Sequence, residues 1–356
     1  MSKGKVIVGL SGGVDSTVAA YLLKEQGYDV IGVTMEMWPN ENSKQAIEDA
    51  RRVAENIGIP FEVLDFKKEF RECVVNDFME QYQKGLTPNP CIVCNRLVKG
   101  QALLDKAHEM GAEHIATGHY ARIEKHPKTG RYAVRNSATA VKDQTYALYR
   151  LTQEQLQAML LPIGDYAKDE VREIAEKIDG FVAKKGDSQD ICFIPDGDYA
   201  AFIERECGYK GKAGDFVDMD GKVVGKHKGI IHYTVGQRKG LGIALGKPVF
   251  VYGVDPAKNQ VRLCDNQALF QKKLYAGNLA HMAYEKFEDG MRFQAKIRYA
   301  HKAAWCTVKM IGEDVLEVTF DEPQRAITPG QSLVLYDGEY VAGGGFVLAE
   351  SAVKKL

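Results

Sequence analysis

Residues 6–17 read Val6-Ile7-Val8-Gly9-Leu10-Ser11-Gly12-Gly13-Val14-Asp15-Ser16-Thr17. An apolar run ends in a glycine-serine loop, and an amphipathic stretch follows at once, which is the order strand, loop, helix. Gly12 and Gly13 let backbone N–H groups approach a phosphate with no Cβ in the way. The helix N-terminus beyond them adds a favourable field for an anion. The hydroxyls of Ser11, Ser16 and Thr17 are further donors. No lysine lies within the loop, so it is not a Walker A motif, and γ-phosphate transfer is not its natural chemistry. The bland alternative is a glycine turn with Asp15 capping a helix start.

Outward from this loop, apolar runs alternate with helical stretches. Strands are expected at Val6–Leu10, Val30–Met35, Phe61–Asp65 and His114–Gly118, and helices at Ser16–Gln26, Ser43–Ile57, Lys67–Lys84 and Asn95–Met110. That alternation predicts an α/β fold, a Rossmann-like parallel sheet with helices on its faces. Ligands of such sheets bind beyond the carboxyl ends of the strands. After Gly118 the pattern changes. Residues 121–136 alternate about Lys128-Thr129-Gly130 as a hairpin would, and helices follow at Lys168–Ile178 and Asp198–Arg205. From about Gly208 a glycine-rich stretch predicts a small module of turns and short strands. From about Lys273 the strands expected are Leu274–Met282, Phe293–Ile297, Trp305–Ile311, Val315–Phe320, Ser332–Tyr336 and Tyr340–Ala349. Evenly spaced short strands indicate a small barrel or a sandwich. The expected division is a catalytic domain at 1–207, a central module at 208–272 and a C-terminal domain at 273–356.

The formal net charge of −1 does not announce a nucleic-acid partner. Between Arg205 and Lys247, however, nine basic side chains face four acidic ones, a local bias that suits a phosphate footprint as well as a solvated surface. Nothing near the N-terminus resembles a signal peptide, and no apolar run is long enough to cross a bilayer, so the expected location is the cytoplasm, with no membrane partner. Seven cysteines, an odd count, argue against a disulfide framework.

Three of those cysteines stand in chemically suggestive contexts. Thr87-Pro88-Asn89-Pro90-Cys91-Ile92-Val93-Cys94-Asn95-Arg96 puts a CxxC after a proline turn, at the start of a helix, where a thiol pKa is expected to be lowered. Cys192 lies far downstream in Asp187-Ser188-Gln189-Asp190-Ile191-Cys192-Phe193-Ile194-Pro195. A zinc site would need a second ligand pair at matching spacing, which is missing.

SGGVDS at 11–16 resembles the signature of the N-type ATP pyrophosphatases, which cleave ATP between the α and β phosphates to adenylate a substrate. Taken together, the motifs resemble the bacterial tRNA-specific 2-thiouridylases (the MnmA family) over essentially the whole chain. The motifs are SGGVDS at 11–16, TPNPCIVCNR at 87–96, ATGHYAR at 116–122, KDQTYAL at 142–148, DSQDICFIP at 187–195, HYTVGQRKGLGI at 232–243 and GGGFVLAES at 343–351.

The resemblance implies an adenine nucleotide alpha hydrolase-like catalytic domain, a small central tRNA-binding domain and a C-terminal β-barrel. It implies that Gly9, Leu10, Ser11, Gly12, Gly13, Val14, Asp15, Ser16, Met35 and Gly118 hold ATP, with Mg2+ on its phosphates. Asn89, Pro90 and Cys91 would face the target base, and Lys142, Asp143, Gln144, Arg298, Tyr299 and Gln331 would contact tRNA. His119 would sit beside the nucleotide and support activity. The implied catalytic pair is Cys94 and Cys192. Cys192 would carry a persulfide from a donor protein, and Cys94 would act on it, with a Cys94–Cys192 disulfide as the alternate state. The partner is then a tRNA with an unmodified wobble uridine. Many members have an aspartate, thought to act as a general base, where this chain has Cys91. Cys91, Cys94 and Cys192 are therefore also a candidate ligand set for an iron–sulfur cluster with one iron open to hydrosulfide. We favour the persulfide route. The rivals are another ATP-dependent synthetase of the same loop class and a tRNA-binding module with a relic loop.

Overall fold

The computed structural model describes residues 2–139, 142–186, 191–209 and 211–353. A five-stranded parallel sheet of order β3-β2-β1-β4-β7 forms the first layer, from β1 (Lys5–Gly9), β2 (Asp29–Glu36), β3 (Phe61–Asp65), β4 (His114–Ala116) and β7 (Met159–Leu160). Val6, Ile7 and Val8 are fully buried, as the apolar run requires of a strand covered on both faces. The helices that cover it include α1 (Val14–Glu25) and α2 (Glu41–Ile57), the latter capped by Asn40, whose side chain accepts from the Ser43 N–H.

Two stretches expected as single helices are interrupted. Residues 67–83 run as α3 (Lys67–Phe70), a π turn (Arg71–Val75) and α4 (Asn76–Gln83). The second begins earlier than expected, because Asn89 caps it and Pro90 takes the first helical position, where its missing N–H costs nothing. It runs as α5 (Pro90–Arg96), a π turn (Leu97–Ala102) and α6 (Leu103–Glu109). Further along lie α7 (Gln153–Ala158), α8 (Lys168–Ile178), α9 (Gly180–Ala183) and α10 (Tyr199–Cys207).

The expected hairpin forms from β5 (Ala121–Lys125) and β6 (Tyr132–Asn136), turning at Gly130 with φ +71°. A four-stranded sheet of β8 (Gly214–Val217), β9 (Val223–His227), β10 (Phe250–Asp255) and β11 (Gln260–Cys264) makes the central module. The C-terminal strands are β12 (Phe270–His281), β13 (Arg292–Lys296), β14 (Ala304–Met310), β15 (Val315–Arg325), β16 (Ser332–Asp337) and β17 (Tyr340–Val347). They follow the order β12-β15-β14-β13-β16-β17, and β12 also pairs with β17, which closes a six-stranded antiparallel barrel. Closure removes both sheet edges and decides between barrel and sandwich.

The hairpin does not belong to the parallel sheet. Its strand β6 adds to β17 of the barrel at Tyr340↔Arg135, so a hairpin from the first half of the chain shares a sheet with the C-terminal barrel. One core packs Tyr146, Leu148 and Tyr149 with Met282, Val334 and Tyr336 of the barrel. A second packs Phe70, Phe78, Cys94 and Phe193 with Phe216, Ile231 and Val261 of the central module. Apolar burial therefore runs through all three units and fixes their relative placement.

Candidate active site

The glycine loop leaves the carboxyl end of β1 and enters α1 with Gly13 as the N-cap. Leu10 and Val14 are buried. Gly12 takes φ +68°, a conformation that strains any residue with a Cβ, and a Cβ there would meet the Ala46 carbonyl of α2 at 2.7 Å. Gly118 is just as tightly placed against the first turn of α1, since an added Cβ would lie 2.6 Å from the Asp15 carbonyl carbon. The Met35 methyl covers Gly9, at 3.3 Å from the position of a Cβ there. Gly9, Gly12, Gly13, Met35 and Gly118 thus border one small surface at the strand ends.

Two expectations about this loop need correction. Asp15 does not cap the helix; its Oδ1 accepts from Lys168 Nζ and from the Tyr120 hydroxyl, each at 2.7 Å. The Ser16 and Thr17 hydroxyls donate to the loop's own Gly13 carbonyl, at 3.2 and 2.8 Å, so they brace the turn. Ser11 remains exposed, with its Oγ 3.1 Å from Ser16 Oγ.

Cys91 is exposed at the start of α5, where Asn89 Oδ1 accepts its N–H at 3.1 Å, and Pro90 beside it is buried. Cys94 is buried one turn further on, and Cys192 is exposed. All seven thiols are free. At Cys94 the expected lowering of the thiol pKa is reversed. Burial pushes the Cys94 thiol up to about 12, with Lys99 pulling against it and Cys192 and Cys91 adding to it. Cys192 is exposed as a residue, yet its thiol is desolvated by its surroundings and raised too, again opposed by Lys99. A helix terminus stabilises a thiolate only within reach of its first turn and of solvent, and Cys94 has been drawn into the core instead.

His119 follows Gly118, and its Nδ1 lies 2.8 Å from Thr117 Oγ1. Desolvation, then Lys99, pushes this imidazole down to about 3, so it is neutral at working pH. Lys99 therefore bears on Cys94, Cys192 and His119 together, and the sequence reading missed it. Lys99 lies in the π turn at Leu97–Ala102, directly after the helix that carries Cys91 and Cys94.

The remaining residues singled out in the sequence converge from the barrel side. The Tyr299 hydroxyl donates to the Asp143 carbonyl at 3.2 Å, and Cys91 is near enough to influence that hydroxyl, though burial and Asp143 weigh more. The Asp143 carboxylate accepts from the Ser137 N–H and the Thr145 hydroxyl, so it shapes its own loop. Gln144 Oε1 accepts from the Tyr120 N–H at 2.9 Å, and Lys142 beside it is half-buried. Gln331 Nε2 donates to the Thr87 carbonyl at 2.7 Å, and Arg298 donates to the Arg325 carbonyl. Thr87, Thr234, Arg298, Arg325 and Gln331 line a cavity of about 330 Å3 where the three units meet. Gly236, Gly240 and Gly242 in the segment after Thr234 all take positive φ and form turns. Of the DSQDICFIP motif, residues 187–190 lie outside the described residues.

The iron–sulfur alternative fits poorly. Among the described residues no three or more His, Cys, Asp or Glu side chains gather at metal-binding spacing. Among those residues no helix is long and apolar enough to cross a membrane.

Comparison with known proteins gives three family matches: a tRNA methyl transferase HUP domain over residues 4–196, a tRNA methyl transferase PRC-barrel domain over 200–265 and an aminomethyltransferase beta-barrel domain over 271–347. The chain is 54% identical to the tRNA-specific 2-thiouridylase MnmA of Lachnoclostridium phytofermentans, covering 97% of this chain and 99% of that one. It is 53% identical to the protein of that name from Clostridioides difficile, covering 96% and 98%. A solved U34-tRNA thiolase NcsA from Methanococcus maripaludis, holding a [4Fe-4S] cluster, is similar at 20% identity and a TM-score of 0.36, covering 57% of this chain and 66% of that one. That likeness is too slight to bear on chemistry.

Proposed function

The chain belongs to the tRNA-specific 2-thiouridylase family, and from that premise we propose that it replaces the 2-oxygen of a tRNA wobble uridine with sulfur by way of an adenylated base and a Cys192 persulfide. ATP lies on the glycine loop, with Met35 and Gly118 at its border. The uridine O2 attacks the α-phosphorus, the α–β bridge breaks, and pyrophosphate leaves. The base then carries AMP, a far better leaving group than oxide. Cys94, as thiolate, attacks the inner sulfur of the Cys192 persulfide. The S–S bond breaks, its electron pair stays on the outer sulfur, and that sulfur attacks carbon 2. AMP departs with the former oxygen, and the Cys94–Cys192 disulfide is returned to thiols by a two-electron thiol reductant.

The observation that carries this reading is the packing of Gly118 on the first turn after the glycine loop, which sets His119 beside it, with Lys99 acting on the charge of His119, Cys94 and Cys192 alike. A neutral His119 hydrogen-bonded to Thr117 offers one ring nitrogen to the nucleotide or base as donor or acceptor, and adds no competing charge. Lys99 favours the thiolate of Cys94 at the moment it forms. Magnesium commonly binds through one or two carboxylates plus substrate phosphates, and Asp15 is the carboxylate in place. Asn89, Pro90 and Cys91 face the base, which must be unstacked to reach the site. Lys142, Asp143, Gln144, Arg298, Tyr299 and Gln331 position the tRNA. We assign catalysis to residues 1–207, tRNA binding to 208–272 and a second tRNA-contacting surface to the barrel at 273–356, in a cytoplasmic enzyme fed by a persulfide-donor protein.

The test is pyrophosphate release and 2-thiouridine formation on unmodified tRNA, with ATP, magnesium and a persulfide donor. Cys192→Ala should retain pyrophosphate release and form no 2-thiouridine. Full thiolation by that variant would refute the role of Cys192, and tRNA-independent activity on small acids would favour a synthetase.

A further inference from the structure

The motif at 232–243 takes no part in the chemistry above, yet the central module builds a site from it. A cavity of about 260 Å3 opens there, with Arg238, Lys247, Gly240, Gly242 and Ile243 in its lining. The loop around it is held in place. The Gly236 N–H donates to the Val251 carbonyl at 2.8 Å and the Val251 N–H to the Gln237 carbonyl at 3.0 Å, which ties the start of the loop to β10. Leu241 is buried in the core that contains Phe216 and Tyr233. Ile243 packs on Gly225 of β9, its Cγ2 3.0 Å from where a Cβ would stand. Gly240 and Gly242 take φ +74° and +69°, a backbone with which turns gather N–H groups about an anion. Among the described residues, neither glycine N–H donates to a backbone carbonyl. Charge collects at the same place. Of the carboxylates between Arg205 and Lys247, Glu206 is taken by Arg71 at 2.7 Å, Asp215 by Lys226 at 2.5 Å, and Asp218 by the amides of its own turn. Arg238 and Lys247 are exposed, and among the described residues no carboxylate pairs with either.

We propose that this cavity is a phosphate site and that its occupant is a backbone phosphate of the tRNA. The proposal rests on the reading of tRNA as the substrate, and it gives the central module one defined contact. Arg238 and Lys247 supply charge, and the unspent glycine amides supply directed hydrogen bonds to the same oxygens. Among the described residues no aromatic ring lines the cavity, so a nucleobase has nothing to stack on and the phosphate is held without regard to sequence. Thr234, Val235 and Gly236, just before Arg238, line the other cavity, together with Arg298 and Gln331. Gly236 and Arg238 are two positions apart, so the chain keeps them within about 7 Å. One loop thus borders both cavities, an arrangement that suits a single strand laid across the two.

The experiment measures binding of unmodified tRNA to the full chain by filter retention, from about 50 to 200 mM salt. Arg238→Gln with Lys247→Gln should weaken binding about tenfold, alike for unrelated tRNAs, and lower the slope of log affinity against log salt by about 1. Thiolation at saturating tRNA should stay within about twofold, because the lost contact is uniform binding. Lys222→Gln with Lys258→Gln removes the same charge from exposed positions of the module outside the cavity, and should change binding by less than about twofold. Equal weakening in the two double variants would mean diffuse charge and would overturn the site, as would unchanged tRNA binding in the cavity variant. Calorimetry with inorganic phosphate separates the other source of the same chemistry. Phosphate binding lost in the cavity variant while tRNA affinity is kept would make this a free-anion site and overturn the assignment to tRNA. Intact tRNA binding with thiolation lost only when a donor protein supplies the sulfur would make it a protein interface, and overturn the proposal likewise. A wild type that binds no tRNA would overturn the substrate reading itself, and the proposal with it.

Discussion

Lys168, the first residue of α8, holds Asp15 of the nucleotide loop in a 2.7 Å ion pair, although 153 residues separate them in the chain. The loop carries no lysine of its own, and this contact supplies a cation at its rim. Both side chains are largely shielded, 13% and 32% exposed, so the pair is less screened than one on the open surface.

Lys168→Ala should therefore leave Asp15 facing the incoming phosphates without its counter-charge. The expected result is a KM for ATP raised by about tenfold or more, as removal of a charged contact commonly costs 1–3 kcal/mol. Lys168→Arg should recover most of it. Steady-state pyrophosphate release at varied ATP measures both.

The thiol directions give a pH prediction. Cys94 stays a thiol until about 12 in the folded protein. Its thiolate fraction, and with it its alkylation rate, should rise about tenfold per pH unit from pH 7 to 10 without a plateau. Stability has the opposite sign. Unfolding restores the ordinary thiol value near 9, so above it the unfolded chain has lost a proton that the native Cys94 and Cys306 both retain up to about 12. Folding free energy should fall as pH climbs through that window, by about 1.4 kcal/mol per unit for each buried thiol. Urea denaturation at pH 8, 9 and 10 checks it.

His119 predicts an absence. With its imidazole held near 3, the pH–rate profile of thiolation should show no ionisation near 6.5 that His119→Asn abolishes. A limb at that pH that vanishes in the variant would mean the histidine titrates during turnover.

Gly330 tests how the barrel steadies the catalytic loop. It takes φ +89°, and a Cβ would lie 2.8 Å from the Thr87 backbone nitrogen, next to the Gln331–Thr87 contact. Gly330→Ala should cost about 1–3 kcal/mol of stability through strain and displace the loop leading to Cys91. Thiolation should fall while ATP affinity stays within about twofold, as expected for a site remote from the nucleotide.

Local signals in the sequence were read well, and long-range ones were not. Phe61–Asp65 and Lys168–Ile178 fall on their observed bounds, the helix because its apolar period buries Val171 and Ala175. The strand Met159–Leu160 is only two residues long, too short for any periodicity to show. The hairpin at 121–136 was visible, but its addition to β17 at Tyr340 was not, since 204 positions separate Arg135 from Glu339, where the junction is pinned. The cysteines announced themselves as a motif. The direction of their pKa values depends on what packs around them, and the motif carries no trace of that. Lys99 and Lys168 escaped notice for a related reason. A lysine is ordinary in sequence and becomes informative only when a tertiary contact, such as that of Lys168 with Asp15, brings it to a partner.

The most direct test of the central claim is a single turnover under strict anaerobiosis with iron-stripped protein whose Cys192 has been charged as persulfide. With ATP, magnesium and unmodified tRNA, the account predicts about one 2-thiouridine per persulfide, read by mass spectrometry, without added iron or hydrosulfide. Product that forms only after iron–sulfur reconstitution, with none from the charged iron-free protein, would contradict it.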